Sequence, residues 1–140
     1  MLASRLVIDT NVVVSAALKP DGLQRTVFLL AIIKPGRLYV SAPVLEEYAE
    51  VLSRPELSIR RGLRLQLLQL IKNHSHLVVP SRQIEVTTDP DDNIFVECAD
   101  AARADFLITG NRKHFPAFWK NTKIVTPHEF VSLAAPHLIP

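Results

Sequence analysis

The sequence lacks the features that would place it in a membrane or in an oxidising compartment. Its 140 residues include one cysteine, Cys98, so an internal disulfide framework is excluded and a reducing compartment, the cytoplasm, is predicted. We expect Cys98 to be a small buried apolar residue. No uninterrupted apolar run approaches the ~18 residues of a membrane span, and the run before Asp9 is too short for a signal peptide. These absences predict a cytoplasmic protein that does not enter the membrane.

Acidic residues are scarce over two long stretches of the chain. Asp9 and Asp21 are the only acids in the first 45 residues, and residues 57–84 contain none although they carry five bases. The acids concentrate instead at 46–56 and 85–105. Acidic clusters that are separate from a basic segment suit a polyanion bound through metal ions.

The length and composition predict one α/β domain over residues 1–140. The chain is 48% hydrophobic and 21% charged, and it contains no internal repeat, low-complexity tract or linker. Short β-rich runs alternate with longer helical ones, which is typical of a mostly parallel sheet wrapped by helices. The predicted strands are 5–8, 37–41, 76–80, 105–110 and 123–127. The predicted helices are 22–34, 42–54, 57–73, 93–104 and a short terminal helix, with a loop or helix entry after Asn11.

The predicted helix at 57–73 has an unusual distribution of apolar residues. Beyond its basic first turn it is apolar over most of its circumference. Such a helix requires burial on more than one side, so we expect it to form a helix hairpin or the contact of a homodimer.

Oxygen-bearing side chains follow the predicted strands at the points where the strands end. Asp9 ends the first strand, Glu47 lies in the first turns of the helix after the second, Asp92 opens the helix at 90–104, and Asn111 follows "FLITG". Carboxyl ends of parallel strands share one sheet edge, so we expect these side chains to converge there. Clustered carboxylates repel one another unless cations hold them, and oxygen ligands without a His or Cys cluster select Mg²⁺ or Mn²⁺.

The acids around residue 90 also have structural interpretations. Asp89, which precedes Pro90, is suited to cap the helix, and Asp91 is suited to be a solvated charge of the first turn. Asp92 suits a capping role and a ligand role equally.

The acids of the helix at 42–54 separate by face. Glu46 and Glu50 stand four residues apart and are expected to line a solvated face, whereas Glu47 lies one step round. Asp9 has the weakest structural interpretation, because few structural roles need a carboxylate at the end of a buried strand.

Four segments together resemble the motif blocks of the PIN domain. They are "VIDTNVVVSA", "VSAPVLEEYAEVL", "DPDDNIFVECADAARADFLITGN" and "RKHFP". The likeness runs from about residue 5 to 130, and it is greatest to the bacterial and archaeal branch of toxin components related to the VapC ribonucleases. It implies a three-layer α/β/α sandwich with a mostly parallel central sheet, and an endoribonuclease that depends on one or two Mg²⁺ or Mn²⁺ ions.

The resemblance also implies roles for individual residues. The family's acidic positions match Asp9, Glu47, Asp92 and Asn111, which would bind the metal and form the catalytic site. Its small polar positions around the acids match Thr10, Asn11 and Thr109, which would orient the carboxylates by hydrogen bonds.

Asn111 is the position at which the chain departs from the more common aspartate. An amide oxygen is neutral, so the site should bind a second cation less tightly. Next to it, Arg112, Lys113 and His114, with Lys120 further on, are candidates to contact an RNA backbone; His114 could also assist proton transfer. Ordinary solvated surface charge is the alternative for these four. The family likeness further implies a homodimer and a small antitoxin protein as partner.

Two other functions remain open from the sequence. A phosphotransferase would use Asp9 as a covalent nucleophile, but such enzymes usually have a second acid two residues on, where this chain has Asn11. A degenerate PIN domain would bind RNA or protein without cleaving it, and Asn111 favours that alternative.

Overall fold

Six strands form one sheet in the computed structural model, which describes residues 4–139. The strands are β1 (Ser4–Ile8), β2 (Gly36–Val40), β3 (Ser75–Leu77), β4 (Phe106–Ile108), β5 (Phe118–Trp119) and β6 (Thr122–Val125). Their order across the sheet is β3-β2-β1-β4-β6-β5. All neighbours are parallel except β5 and β6. The predicted α/β class with a mostly parallel central sheet is confirmed; the ends of the predicted domain, residues 1–3 and 140, lie outside the described residues.

Six α-helices surround this sheet. They are α1 (Thr10–Leu18), α2 (Leu23–Ile32), α3 (Ala42–Leu52), α4 (Arg61–His74), α5 (Asn93–Ala102) and α6 (Pro127–Ala134). Helix α2 contacts both α1 and α6, and α3 contacts both α4 and α5. The start of α3 is capped as predicted: the Ser41 hydroxyl accepts a hydrogen bond from the Val44 amide at 3.3 Å, and Pro43 lies in the first turn.

Two elements differ from the prediction. Helix α1 begins at Thr10, immediately after Asp9, where the sequence indicated only a loop or a helix entry. The stretch is rich in β-branched valines, which favour strands, so its helical state reflects tertiary packing of Val12, Val13 and Ala16. Strand β5 was not predicted, because two residues at a sheet edge leave no periodic pattern.

Helix α4 is less buried than the sequence suggested. It begins at Arg61 rather than 57, after a 3₁₀ turn at Pro55–Leu57 and a left-handed Ser58. Within the single chain Ile71 is its only buried residue, and Leu65 is 51% exposed. Within the described chain α4 contacts α3 and leaves several of its leucines exposed, so burial on a second side would need a partner, and the homodimer stays a prediction.

The core is continuous around the central strand. Residues 6–8 of β1 are fully buried and pack with large side chains such as Tyr48, Phe95 and Phe130. Cys98 is buried and unpaired, as predicted. None of the helices between residues 4 and 139 combines the length and the hydropathy that crossing a bilayer would require.

The parallel strands end together at one sheet edge. Ile8 is the register partner of Ile108, and Ile108 is the partner of Val125. The pairing continues one residue further, because the Asp9 amide donates to the Ile108 carbonyl at 2.9 Å and the Thr109 amide to the Val125 carbonyl at 2.9 Å. Asp9 and Thr109 are thus held side by side at the carboxyl edge of the sheet.

A carboxylate cleft at the sheet edge

Asp9 is a buried carboxylate held by neighbouring side chains. It is 5% exposed. Its Oδ2 accepts hydrogen bonds from the Thr109 hydroxyl at 2.7 Å and from the Asn11 amide at 3.2 Å. Burial raises the pKa of Asp9 above its usual value, and the Thr109 hydrogen bond opposes that rise. The structure therefore brings together three of the predicted site residues, Asp9, Asn11 and Thr109.

The two residues that hold Asp9 are themselves fixed by the loop after β4. The Gly110 amide donates to Asn11 Oδ1 at 3.1 Å, and the Asn111 amide donates to the Thr109 hydroxyl at 3.0 Å. A Cβ at Gly110 would lie 3.3 Å from Asn11 Oδ1, so only glycine fits there without a shift of that side chain. Asn111 consequently stands at the rim of the cleft near Asp9.

Glu47 faces the cleft from α3, whereas Glu46 is exposed to solvent. The Thr10 hydroxyl donates to Glu47 Oε2 at 3.2 Å. Burial raises the pKa of the Glu47 carboxyl, and the Thr10 hydrogen bond opposes that rise. The assignment of Glu46 and Glu47 to different faces is thus confirmed.

Tyr48 is a residue of this region that the sequence analysis assigned only to the apolar stripe of α3. Its side chain is fully buried, and its hydroxyl donates to the carbonyl of Ile8, the residue before Asp9. The bond ties the helix that carries Glu47 to the strand that carries Asp9. A tyrosine among apolar stripe positions was the one available sequence signal, because its buried hydroxyl needs a partner.

Asp92 reaches the cleft from a 3₁₀ turn, Pro90–Asp92, that precedes α5. Asp89 caps this turn, as predicted, by accepting the Asp91 amide at 3.0 Å. Burial first, and then the negative charge of Asp9, raise the pKa of Asp92 to about 6. His114 Nδ1 lies 3.8 Å from Asp92 Oδ2 and opposes the rise.

The segment before this turn is fastened along α5 by side chains that the sequence analysis did not single out. The Ile84 amide donates to Glu97 Oε2 at 3.0 Å, and the Thr87 amide donates to Asn93 Oδ1 at 3.1 Å. The Thr88 amide completes the path by donating to the His114 carbonyl at 3.0 Å. These long-range bonds position the turn that carries Asp92.

The raised pKa of Asp92 predicts a pH-dependent cost in the metal-free protein. Because the folded pKa lies above the ordinary value of 3.8, the cost is absent below about pH 4 and complete above about pH 6. We expect Asp92→Asn to raise the free energy of unfolding in EDTA by about 1–2 kcal/mol at neutral pH, a value discounted for partial exposure, and to leave it unchanged near pH 4. Urea unfolding at both pH values measures this, with the exposed Asp91→Asn as control. Equal gains at the two pH values would contradict the prediction.

The predicted basic contacts are distributed unequally. Lys113 is exposed and His114 faces Asp92. Arg112 uses one nitrogen, Nη1, to donate to both carboxylate oxygens of Glu129 at 2.8–2.9 Å. Lys120 lies in the turn between β5 and β6, at the opposite edge of the sheet, where it pairs with Asp100 at 3.1 Å. The placement of Lys120 near the site is therefore wrong.

Asp9, Glu47, Asp92 and Asn111 line one open cleft of about 630 Å³. Arg54, which the sequence analysis missed, is the only base among its described lining residues, and Glu50 holds its guanidinium at 2.9 and 3.2 Å. Val14, Val51 and Leu57 form an apolar wall. The lining carboxylates are Asp9, Glu47, Glu56, Asp89, Asp91 and Asp92.

The chemistry of this donor set fits a hard divalent cation. Every candidate ligand is an oxygen, and the pKa values of Asp9, Glu47 and Asp92 are all raised, so a cation would relieve both burial and mutual repulsion. Within residues 4–139 no three carboxylate, imidazole or thiolate groups lie close enough to hold one ion as they stand. Glu47 and Asp92 are only partly buried, so their side chains have room to adjust.

A family model described as "PIN domain" matches residues 5–113. The chain belongs to the PIN domain family. An uncharacterised protein of Methanocaldococcus jannaschii, MJ1680, is 28% identical over 139 residues, covering 91% of this chain and 89% of that protein. A chain in the crystal structure of VapBC2 from Rickettsia felis, bound to a DNA fragment from their promoter, superposes with a TM-score of 0.59 at 18% identity. That match covers 87% of this chain and 98% of the other, and it establishes likeness of fold.

PIN domains are generally nucleases that use divalent metals. All four predicted acidic-position residues lie within the matched range, as do the supporting residues Thr10, Asn11 and Thr109. The roles of the individual residues stay predictions. The predicted ligands and catalytic groups are Asp9, Glu47, Asp92 and Asn111, and the predicted contacts to substrate are Arg112, Lys113 and His114.

Proposed function

We propose that this PIN domain is a Mg²⁺- or Mn²⁺-dependent endoribonuclease that hydrolyses phosphodiester bonds in the carboxylate cleft. The observation that carries the proposal is the buried Asp9 carboxylate, supported by Thr109 and Asn11 at the edge where Glu47 and Asp92 also face. A buried acid with a raised pKa costs stability, and such groups cluster at functional sites. Membership of a family of nucleases supports the same conclusion.

Each side chain has a defined task in this proposal. Asp9, Glu47 and Asp92, with the Asn111 amide oxygen, would hold the cation. A bound Mg²⁺ or Mn²⁺ would lower the pKa of the attacking water and would neutralise negative charge on the phosphate oxygens. Thr109 keeps the Asp9 carboxylate ionised and oriented, because its hydroxyl donates to Oδ2.

Bases at the rim would orient the substrate. His114 lies next to Asp92 and is placed to donate a proton or a hydrogen bond to a phosphate oxygen. Lys113 is exposed beside it. Arg54 stands on the other wall, where Glu50 fixes the planar guanidinium that suits phosphate recognition.

The direct test is cleavage of RNA with and without a chelator. Purified protein should cut a mixed RNA substrate in Mg²⁺ or Mn²⁺, stop in EDTA, and recover when excess metal is restored. The same assay with DNA of equal sequence determines the nucleic acid. Cleavage that persists in EDTA would contradict the metal-dependent mechanism, and a wild-type protein inactive under all metals would contradict the nuclease proposal.

Asn111→Asp should strengthen metal binding. A carboxylate at this rim position adds a negative charge beside Asp9, where the wild type has a neutral amide. We expect Mn²⁺ affinity measured by isothermal titration to rise by roughly tenfold, equivalent to about 1.4 kcal/mol. Asn121→Asp, an exposed position in the turn between β5 and β6 and outside the cleft lining, is the charge-matched control. Unchanged affinity in Asn111→Asp would remove residue 111 from the ligand set.

We further propose that this nuclease is the toxin of a toxin–antitoxin pair. The structural match to a chain of a VapBC2 complex supports this partner class. A small antitoxin would inhibit by covering the cleft, and the exposed leucines of α4, with Leu65 at 51% exposure, support a homodimer. To test for an antitoxin, the product of the reading frame immediately upstream is added to the cleavage assay. Light scattering tests the homodimer.

A binding module without catalysis is the second candidate function, and Asn111 is the observation that favours it. A degenerate cleft should bind no Mn²⁺ through its carboxylates. Isothermal titration of Mn²⁺ into the wild type and into Asp9→Asn therefore distinguishes a nuclease from a binding module. The phosphotransferase alternative is not favoured by the geometry, because Asn11 donates to Asp9 and is no second acid. Absence of a phosphoryl-enzyme intermediate would exclude it.

A further inference from the structure

A second cavity lies at the sheet edge opposite the carboxylate cleft. Its volume is about 740 Å³, and it is formed where β2 and β3 begin and where α4 ends. The cleft, in contrast, is formed where the strands end. One strand length, roughly 17 Å for the five residues of β2, therefore separates the two sites along the sheet.

The lining of this second cavity is basic. It contains Lys34, Arg37, His74 and His76, together with the polar Asn73 and Ser75, and its described lining includes no acid. We call it the basic cavity. It lies where the sequence has its acid-free stretch, residues 57–84.

Three of the four bases of the basic cavity lack side-chain partners among the described residues. The side chains of Lys34, Arg37 and His74 form no hydrogen bond or ion pair with another residue between 4 and 139. Other bases of the fold are engaged, as Arg82 and Lys120 both are by Asp100. The cations of the cavity are thus available to an external anion.

The strand register adds a further base to this region. Arg5 of β1 is the register partner of Arg37 of β2, so two arginines stand on adjacent strands without an acid between them. Arg5 directs one nitrogen to the Ala102 carbonyl at 3.2 Å and stacks over Tyr39. These contacts compensate the Arg5 side chain, and Asp105 Oδ2 accepts the Arg5 backbone amide at 2.7 Å. The Arg37 side chain beside it has no partner among the described residues, so Arg37 is the arginine whose charge an external anion would neutralise.

The chemistry of the lining identifies the anion. A lysine and an arginine neutralise phosphate charge, and imidazoles donate a hydrogen bond to phosphate oxygen in either protonation state. The volume and the spread of the bases exceed what one small anion requires, and fit consecutive groups of a phosphodiester chain. Backbone contacts of this kind contribute affinity without reading sequence.

We propose that the basic cavity binds the phosphodiester backbone of the same RNA that is cut in the carboxylate cleft. The inference rests on the proposed function for the identity of the polyanion. An RNA must extend several nucleotides from the scissile bond to reach both edges. The cavity therefore makes the protein select long RNA over short, since only a long chain gains the additional contacts.

The test is equilibrium binding of fluorescein-labelled RNA in EDTA, where no cleavage occurs. The variant is Lys34→Ala/Arg37→Ala, and the matched control is Lys19→Ala/Arg61→Ala, which removes two exposed bases outside the basic cavity. Circular dichroism establishes that both fold. For a single-stranded RNA of about 20 nucleotides, we expect the cavity variant to lose roughly tenfold in affinity and the slope of log K against log salt to fall by about 1.4. The control should change affinity less than twofold.

Each remaining outcome separates this inference from the proposed function. Equal losses in variant and control, or no loss in either, overturn the basic cavity as an RNA site. Poly-glutamate that displaces the RNA as well as unlabelled RNA does would assign the cavity to acidic polymers instead, and overturn the proposal. If the cavity variant loses affinity as expected while the wild type never cleaves RNA in Mg²⁺ or Mn²⁺, the basic cavity stands as an RNA-binding site and the nuclease proposal fails. A trinucleotide substrate should be cut equally by wild type and variant.

Discussion

Asp9→Asn should fold as the wild type does and lose RNA cleavage by on the order of a thousandfold. The substitution keeps the shape of the side chain and removes its charge. The Asn oxygen can still accept the Thr109 hydroxyl, so the local hydrogen bonds survive in part. What is lost is the central anionic ligand of the cleft, around which Asn11, Thr109 and the turn bearing Asp92 are arranged.

The same variant predicts an opposite effect on stability without metal. Burial raises the pKa of Asp9, so its charged form destabilises the fold at neutral pH, and an uncharged amide relieves that cost. In EDTA, Asp9→Asn should therefore unfold at the same temperature as wild type or higher. Added Mn²⁺ should raise the unfolding temperature of the wild type and leave the variant unchanged.

The control for Asp9→Asn is Asp21→Asn, which removes an exposed acid outside the cleft. It should retain both cleavage and the Mn²⁺ response. Full cleavage by Asp9→Asn with metal supplied would refute the assignment of the site, whatever the other variants do. Loss of activity together with loss of folded structure would contradict the claim that Asp9 serves chemistry at the expense of stability.

Thr109→Val should lower cleavage by about ten- to a hundredfold although residue 109 touches no substrate. Its hydroxyl links two parts of the cleft, since it donates to Asp9 Oδ2 and accepts the Asn111 amide. Valine has the same shape and can do neither. The partly buried Asn111 amide and the buried Asp9 carboxylate would each lose a partner, so we also expect the free energy of unfolding to fall by about 1–3 kcal/mol.

A pH profile distinguishes this positioning role from simple loss of packing. The Thr109 hydrogen bond lowers the pKa of Asp9, so its removal should raise that pKa further and move the acidic limb of the activity profile to higher pH. Thr109→Ser should restore both rate and profile. Thr10→Val is the companion control, because the Thr10 hydroxyl donates to Glu47 and the Thr10 backbone amide, which bonds Asp9, is unchanged by the substitution. An unshifted profile in Thr109→Val would show that the hydroxyl does not tune Asp9.

The sequence predicted the parts of the fold that are governed by local patterns. Strand β1, the helix α3 with its Ser41 cap and the capping role of Asp89 follow from periodicity and from short-range hydrogen bonding. The placement of Asp9 beside Thr109 follows from one topological rule, since parallel strands end at a common edge. For this reason the sequence alone predicts that the acids form one cluster.

What the sequence could not predict depends on long-range packing. Arg54 lines the cleft because α3 ends beside it. Lys120 lies far from the cleft because the turn between β5 and β6 is at the opposite edge of the sheet. Helix α4 was expected to be buried on more than one side, in a helix hairpin or a homodimer contact, but its composition does not reveal which neighbours cover its leucines. The tether of residues 84–88 to α5 pairs backbone amides with distant side chains, which leaves no periodic signal.

Because residues 84–88 are held mainly by side-chain acceptors, the two sides of the cleft should open with different free energies. The Asp9 amide is bonded into the central sheet, so its proton should exchange with solvent only when the whole domain unfolds. The amides of Ile84 and Thr87 depend on single side-chain acceptors, and their protons should exchange through a local opening of much lower free energy. Native-state hydrogen exchange should accordingly show slow exchange in the part of the site that is bonded into the sheet, and fast exchange in the segment that precedes Asp92, which opens and closes while the rest of the domain stays folded.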